Sequence, residues 1–254
     1  MFCKLFSYYI SNFNYNNIYY ILSKVKKKLQ KLLLFSQIHP SPKGKGLLWQ
    51  EDKKDIVKSI LLNKIGKTPY KIFARKCEIR KVNHSEATQF LDNNHLQGKC
   101  ISSQHYGLYF NNELVCLLSI SKSRFSKKYE WEITRFCNKN YYSIVGGFSK
   151  LLKHFIKNHN PNNIVTYADK RLSLGGLYLK NDFKYLQDTP PNYYYFYNTK
   201  DYVLFNRIAF QKHKLEKKLK TFSPERTEWE NMMDNGYDRI WDCGNMVFEW
   251  KKEG

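Results

Sequence analysis

The chain has 254 residues, with 43 Lys and Arg against 22 Asp and Glu, a formal net charge of +21. That excess goes beyond what solubility requires and points to a polyanionic partner, either nucleic acid or an anionic membrane surface. A hydrophobic fraction of 42% fills a globular core, which excludes a disordered basic tail and gives one main domain with extensions.

The opening MFCKLFSYYISNFNYNNIYY is apolar but broken by Ser and Asn, and it lacks the small-residue cleavage site of a secretion signal. Ile18, Ile21, Leu22, Val25, Leu29, Leu32 and Leu33 then recur at helical spacing, interleaved with Lys24, Lys26, Lys27, Lys28 and Lys31. This predicts a basic amphipathic helix, too charged for stable membrane insertion. It can pack on its own domain or a partner, or lie on a membrane surface or on phosphates. HPSPKGKG at 39–46 reads as a linker. The expected organisation is a helix and linker over 1–46 and a connecting helix within 47–70. A core follows over 71–200, then C-terminal helices and a hairpin over 201–254.

The connecting helix is expected over 52–65, with Ile56, Val57, Ile60, Leu61 and Ile65 on one face. KIFARKCEIRKV reads as one strand, and Ser85 as the cap of a helix running to Leu91. Strands over 106–110 and 114–121 form a hairpin through Asn111-Asn112-Glu113. A strand over 129–137, a polar loop and a helix over 147–158 follow, the helix burying Phe148, Leu151, Leu152, Phe155 and Ile156. Next come a strand over 164–168, a helix over 175–181, and strands near 183–186 and 193–197. Helices over 210–219 and 227–235 precede a closing hairpin of 239–243 with 246–250. The order gives an α+β fold: a mixed, largely antiparallel sheet flanked by helices, with helical extensions at both ends.

The six cysteines stand singly, without CxxC pairs or zinc-ligand spacing with His. Cys116 and Cys137 fall within strand patterns. The pattern predicts reduced structural thiols, no metal, and a cytoplasmic protein.

The segment IVTYADKRLSLGGLYLKNDFKYL carries the most chemistry. Asp169 sits where a buried strand ends, and ligands of open α/β sheets collect at such ends. A turn cap is the alternative reading. Basic groups recur in the loops: Lys122, Arg124, Lys127 and Lys128, then Lys170 and Arg171, then Lys212 and Lys214. With Tyr193 they outline a surface suited to double-stranded DNA.

The element order, the hairpin GLYFNNELVCLLSIS and the segment GLYLKNDFKYL resemble the GCN5-related N-acetyltransferase fold. That resemblance implies a sheet split between its fourth and fifth strands. It also implies acetyl-CoA or another acyl-CoA, its pyrophosphate at the start of the helix after the fourth strand. Gly146, Gly147, Ser149 and Lys150 occupy that region, with Ile144 where the family motif carries Gln or Arg. The glycines alternatively do no more than start the helix tightly. The segments IFARKCEIR, FLDNNHLQG, VGGFSKLLKHFIK and NGYDRIWDCGN, among others between Trp49 and Trp250, look like the C-terminal region of phage homing-endonuclease-like proteins. In those relatives a Vsr-like or EDxHD nuclease domain comes first. Here Glu51-Asp52-Lys53 has no partner acid upstream, and neither an HNH nor a complete GIY-YIG pattern is present. The resemblance therefore implies a DNA-binding protein without its nuclease core, with an active endonuclease whose core lies unrecognised in residues 1–50 as an alternative.

Tyr167-Ala168-Asp169 followed by Gly175, Gly176 and Tyr178 is also similar to the signature of Mom-type adenine-modification proteins. That similarity implies Asp169 as base or substrate anchor, Tyr178 as proton donor to the acyl carrier, and Arg135 as a substrate contact. Tyr178 as a core aromatic and Arg135 as a solvated strand residue remain the alternatives. Asp169 and Tyr178 are expected to face one pocket at the split.

Overall fold

The computed structural model describes residues 53–124, 126–197 and 204–253. The expected basic helix and linker over 1–46 lie outside the described residues. In chain order the elements are α1 (Lys54–Lys64), β1 (Tyr70–Phe73), β2 (Glu78–Lys81), α2 (His84–Asn94), β3 (Gln104–Phe110), β4 (Glu113–Lys122), β5 (Trp131–Asn138) and β6 (Tyr142–Val145). They continue with α3 (Gly147–His159), β7 (Asn163–Asp169), α4 (Gly176–Leu179), β8 (Lys184–Asp188), β9 (Tyr193–Tyr197), β10 (Leu204–Asn206), α5 (Glu228–Asp234), β11 (Tyr237–Trp241) and β12 (Asn245–Lys251).

The main sheet has seven strands in the order β2-β3-β4-β5-β7-β12-β8. Every neighbouring pair is antiparallel except β5 and β7. Local chemistry sets the first hairpin: Asn111 and Asn112 both take positive φ, the pairing of a two-residue turn whose twist matches the strands. α3 lays Phe148, Leu151, Leu152 and Phe155 on one face of the sheet, against Leu118, Ile120, Trp131, Ile133 and Ile164. On the other face α2 buries Ala87, Phe90 and Leu91 against Tyr109, Leu114 and Leu117. Each large side chain so buried contributes about 1.5–3 kcal/mol. This is the expected α+β layering, a largely antiparallel sheet with helices on both faces and a single parallel pair.

Several local expectations need correction. KIFARKCEIRKV is two strands, not one. A 3-10 turn at Ala74–Lys76 breaks it, and Lys150 Nζ clamps that turn by donating to the Ala74 and Cys77 carbonyls at 3.0 and 2.6 Å. β1 therefore leaves the main sheet and pairs in parallel with β6, inside what reads in sequence as a polar loop. Asn83, not Ser85, caps α2, its side chain accepting from the Glu86 N–H at 2.9 Å. The stretch over 210–219 is not a helix. One 3-10 turn, Arg207–Phe210, ends where the stretch begins and a second, Lys212–Lys214, lies inside it, while Lys214 and Lys218 fold back onto the Ile208 and Ala209 carbonyls. The closing hairpin is absent too: β11 pairs with β9, whereas β12 enters the main sheet between β7 and β8. The last strand of the core thus comes from beyond residue 240, and 189–244 is an excursion built on its own small sheet, β10-β9-β11.

Candidate active site at the split in the sheet

β5 and β7 pair only over Trp131–Ile133 with Ile164–Thr166. Beyond that point Tyr167, Ala168 and Asp169 pair with β12 alone, and the second half of β5 stays with β4. The sheet opens there. A bulge lies at the parting: Ser119 faces Arg135 and Ile120 faces Ile133, so Thr134 has no partner residue on β4. A bulge bends its strand and leaves the extra residue outside the ladder, and the Thr134 carbonyl is taken instead by the Arg135 guanidinium at 2.7 Å.

α3 begins beside this gap. Its N-cap is Gly146 at φ 77°, a left-handed conformation that glycine adopts without strain, and no side chain caps the helix among the described residues. The first turn carries no acid. At Gly147 a Cβ would stand 3.1 Å from Ile144 Cγ2 and 3.3 Å from Cys116 Sγ, so the helix start is pressed onto the sheet by the lack of a side chain. Uncapped first-turn N–H groups at the positive end of a helix form an anion cradle. Of the other two residues expected there, Ser149 donates to Asn181 Oδ1 at 2.5 Å and ties α3 to α4. Lys150 is committed to the 3-10 turn and supplies no free charge to the cradle.

Tyr178 sits in α4, its ring among Phe148, Phe183 and Phe248 at centroid distances of 5.5, 5.7 and 5.2 Å. Its hydroxyl shares a hydrogen bond with the Thr166 side chain, and burial raises its pKa above the ordinary phenol value. Gly175 makes the approach possible. It has φ 77°, and a Cβ there would fall 2.4 Å from the Phe248 ring.

Asp169 and Tyr178 do not share a pocket. Side chains alternate along β7: Ile164 and Ala168 pack in the core under α3, and Thr166 points with them, so Val165, Tyr167 and Asp169 face the opposite side. Tyr178 therefore lies on the α3 face of the gap and Asp169 on the α2 face. Asp169 accepts from the Arg171 backbone N–H at 2.9 Å and from its guanidinium at 2.9, 3.1 and 2.5 Å. Burial opposes the charge on Arg171, but the Asp169 hydrogen bonds and charge outweigh it, and the guanidinium pKa is raised. The acid is both a turn former and half of a well-shielded ion pair.

Arg135 is half-buried and donates to the Thr134 and Gly98 carbonyls at 2.7 and 3.4 Å, pinning the loop over 95–103 against the gap. Burial lowers its pKa.

The α2 face of the gap holds an acid that the sequence reading passed over. Glu132 stands on β5 opposite Val165, one residue before the last paired position, and its side chain is 4% exposed. Arg124 holds it through its guanidinium at 3.1 Å and its backbone N–H at 3.4 Å. Tyr167 shares this face. Its hydroxyl is pushed up in pKa, first by burial and then by the Glu132 charge. Alternation within WEITRF was the available signal: Trp131 and Ile133 are core positions, which puts Glu132 on the other face.

Most expected phosphate contacts are already paired within the chain. Lys122 meets Glu130 at 3.1 Å and lies 4.0 Å over the Trp131 ring. Arg124 serves Glu132, Lys170 pairs with Asp188, and Arg171 pairs with Asp169. Lys127 and Lys128 are exposed, as is Lys212. Lys214 donates to the Ile208 carbonyl and to Gln211. No group of three or more His, Cys, Asp or Glu side chains comes together as a metal site among the described residues. No described helix is long and apolar enough to cross a membrane.

No protein-family model and no curated protein matches the sequence. Among solved structures, the chain is similar to a histone acetyltransferase HPA2-related acetyltransferase of Corynebacterium glutamicum, at 10% identity and a TM-score of 0.41, over 70% of this chain and 98% of that one. It is similar to an IAA acetyltransferase of Bacillus cereus at 13% identity and a TM-score of 0.40, over 69% and 99%. It is also similar to a GNAT family acetyltransferase of Elizabethkingia anophelis with acetyl-CoA bound, at 16% and 0.37, over 70% and 99%.

Proposed function

We propose that the protein is an acyl-CoA-dependent N-acyltransferase. The observation that carries this reading is the parting of β5 and β7 after Ile133 and Thr166, with an uncapped helix start and Tyr178 on one side of the gap and the buried Glu132 on the other. Two reactants can then meet through the sheet from opposite faces. The residues fit an acyl-CoA: first-turn N–H groups of α3 would hold the pyrophosphate, and the stretch of β5 bent by the bulge at Thr134 would line the thioester arm. The bound acyl-CoA supplies the activated acyl carbon.

On this reading Glu132 takes the proton of an acceptor amine whose nitrogen attacks the thioester carbonyl. The C–N bond forms and the C–S bond breaks, and the Tyr178 hydroxyl passes its proton to the departing thiolate sulfur. Thr166 orients that hydroxyl. Asp169 and Arg171, on the acceptor face, shape its wall as an ion pair.

Titration of the full chain with acetyl-CoA and with CoA tests the reading. Binding with release of free thiol on adding amines is the expected result. No binding of either ligand at millimolar concentration defeats it.

A further inference from the structure

The excursion between β8 and β12 carries a cluster that the acyl-transfer reading does not use. On the face of β9 and β11 that bears Tyr193 and Tyr195, Arg239 stacks 3.8 Å over the Trp229 ring. It also lies 5.1 Å from the Trp241 ring and 5.3 Å from the Tyr193 ring. Arg207 approaches the same Tyr193 ring at 4.9 Å. Among the described residues neither guanidinium makes an ion pair or a hydrogen bond, and Arg239 Nε is buried without a partner. By contrast, Arg124, Arg171 and Arg226 each pair with an acid. Here the acids have other work. Glu228 accepts from the hydroxyls of both Tyr193 and Tyr195, Glu230 closes the capping box of α5, and Asp234 holds Arg226.

Around this stack, Trp241 is 48% exposed, and Lys212, Lys217, Lys218 and Lys220 are exposed on the adjoining turns, where Glu216 is the one acid between 207 and 220. Planar guanidiniums held flat by rings present their N–H forks to phosphate, and an open indole offers a stacking surface to any base. α5 spans only Glu228–Asp234, too short to be a groove-reading helix, whereas an exposed ring needs an unstacked base.

We propose that this face of the excursion is a docking surface for single-stranded nucleic acid. Bases stack on Trp241 beside Tyr193, and the backbone is held by Arg207, Arg239 and the neighbouring lysines. The surface does not depend on acyl transfer, and it is tested without acyl-CoA present.

Fluorescence anisotropy of the full chain with a labelled oligothymidylate of about 20 nucleotides, across a salt series from about 50 to 200 mM, reads it directly. The expected result is binding that weakens with salt, and that weakens at least about fivefold in Arg207→Ala and in Trp241→Ala, as loss of a phosphate contact or of one stacked base requires. Both positions are exposed, so these variants keep their melting temperature even where Arg239→Gln does not. Absence of binding at low salt overturns the proposal. So does wild-type affinity in both exposed variants, a blunt duplex binding as tightly as the single strand, or polyglutamate competing as well as the unlabelled oligonucleotide.

Discussion

The Tyr178 hydroxyl meets the Thr166 side chain at the edge of the opening in the sheet, while its ring stands edge-on to Phe148 at 5.5 Å and 87°. The ring holds α4 on the first turn of α3, and the hydroxyl is placed by the last residue of β7 that still pairs with β5. Packing and chemistry therefore separate at a single atom. Tyr178→Phe is expected to keep the fold and acetyl-CoA binding and to lower acyl transfer by about 10²–10⁴-fold, the range of a lost proton donor. Tyr178→Ala also removes the ring and destabilises by roughly 3–5 kcal/mol. Thermal melts and thiol-release rates on both variants check this, and a fully active Tyr178→Phe would remove Tyr178 from the mechanism.

Glu132 invites the complementary experiment. Glu132→Gln keeps the shape but removes the proton acceptor, so transfer is expected to fall by about 10²–10⁴-fold with acyl-CoA affinity unchanged. It also removes the ion pair with the exposed Arg124 guanidinium, and a modest loss of stability is expected. A partial rise in rate with increasing pH, as the free amine fraction of the acceptor grows, would mark the loss of a base. A loss of rate that tracks only the loss of fold would mark a structural acid.

The layered fold was legible because its signals are local. The Asn111-Asn112 turn, the apolar face of Phe148, Leu151, Leu152 and Phe155, and the strand ending at Asp169 each declare themselves within a few residues. The route of the C-terminus was not. Whether β12 pairs with β11 or crosses to β7 depends on contacts between residues about 80 positions apart, and MVFEW suits either partner. The shared pocket for Asp169 and Tyr178 failed for a simpler reason. Asp169 is three residues from Thr166 on one strand, an odd step that turns it to the other face. Glu132 was missed because a lone acid inside an apolar strand looks like an exception until the opposite face proves to be polar.

Gly175 is expected to be intolerant of any side chain. Its φ of 77° disfavours an L residue, and a Cβ would enter the Phe248 ring at 2.4 Å, so the backbone must shift and carry Tyr178 with it. Gly175→Ala should cost roughly 1–3 kcal/mol in urea unfolding and also reduce transfer. Gly176→Ala is the control, because nothing lies within 4 Å of its added Cβ. Equal stability of the two variants would contradict the packing described.

His105 gives the protein an acid-side loss of stability. The imidazole is 4% exposed, with Nδ1 at 2.8 Å from Ser119 Oγ and Nε2 at 3.4 Å from His84 Nδ1. Burial first, and then the charge of His84, lowers its pKa from 6.5. The folded state therefore resists a proton that the unfolded chain accepts. Above about pH 6.5 neither state holds that proton and the group has no effect on stability. As pH falls below 6.5 the unfolded chain binds it first, and stability drops by at most about 1.4 kcal/mol per pH unit until the folded value is reached, where the loss levels off. His159, lowered chiefly by burial and also by Lys81 and Lys122, acts in the same direction. His105→Gln, which retains a partner for Ser119, should remove part of this slope and not all of it. Urea midpoints of wild type and variant at about pH 7.5 and pH 5 test the sign. An identical acid-side loss in the two proteins would show that His105 is already charged in the folded state.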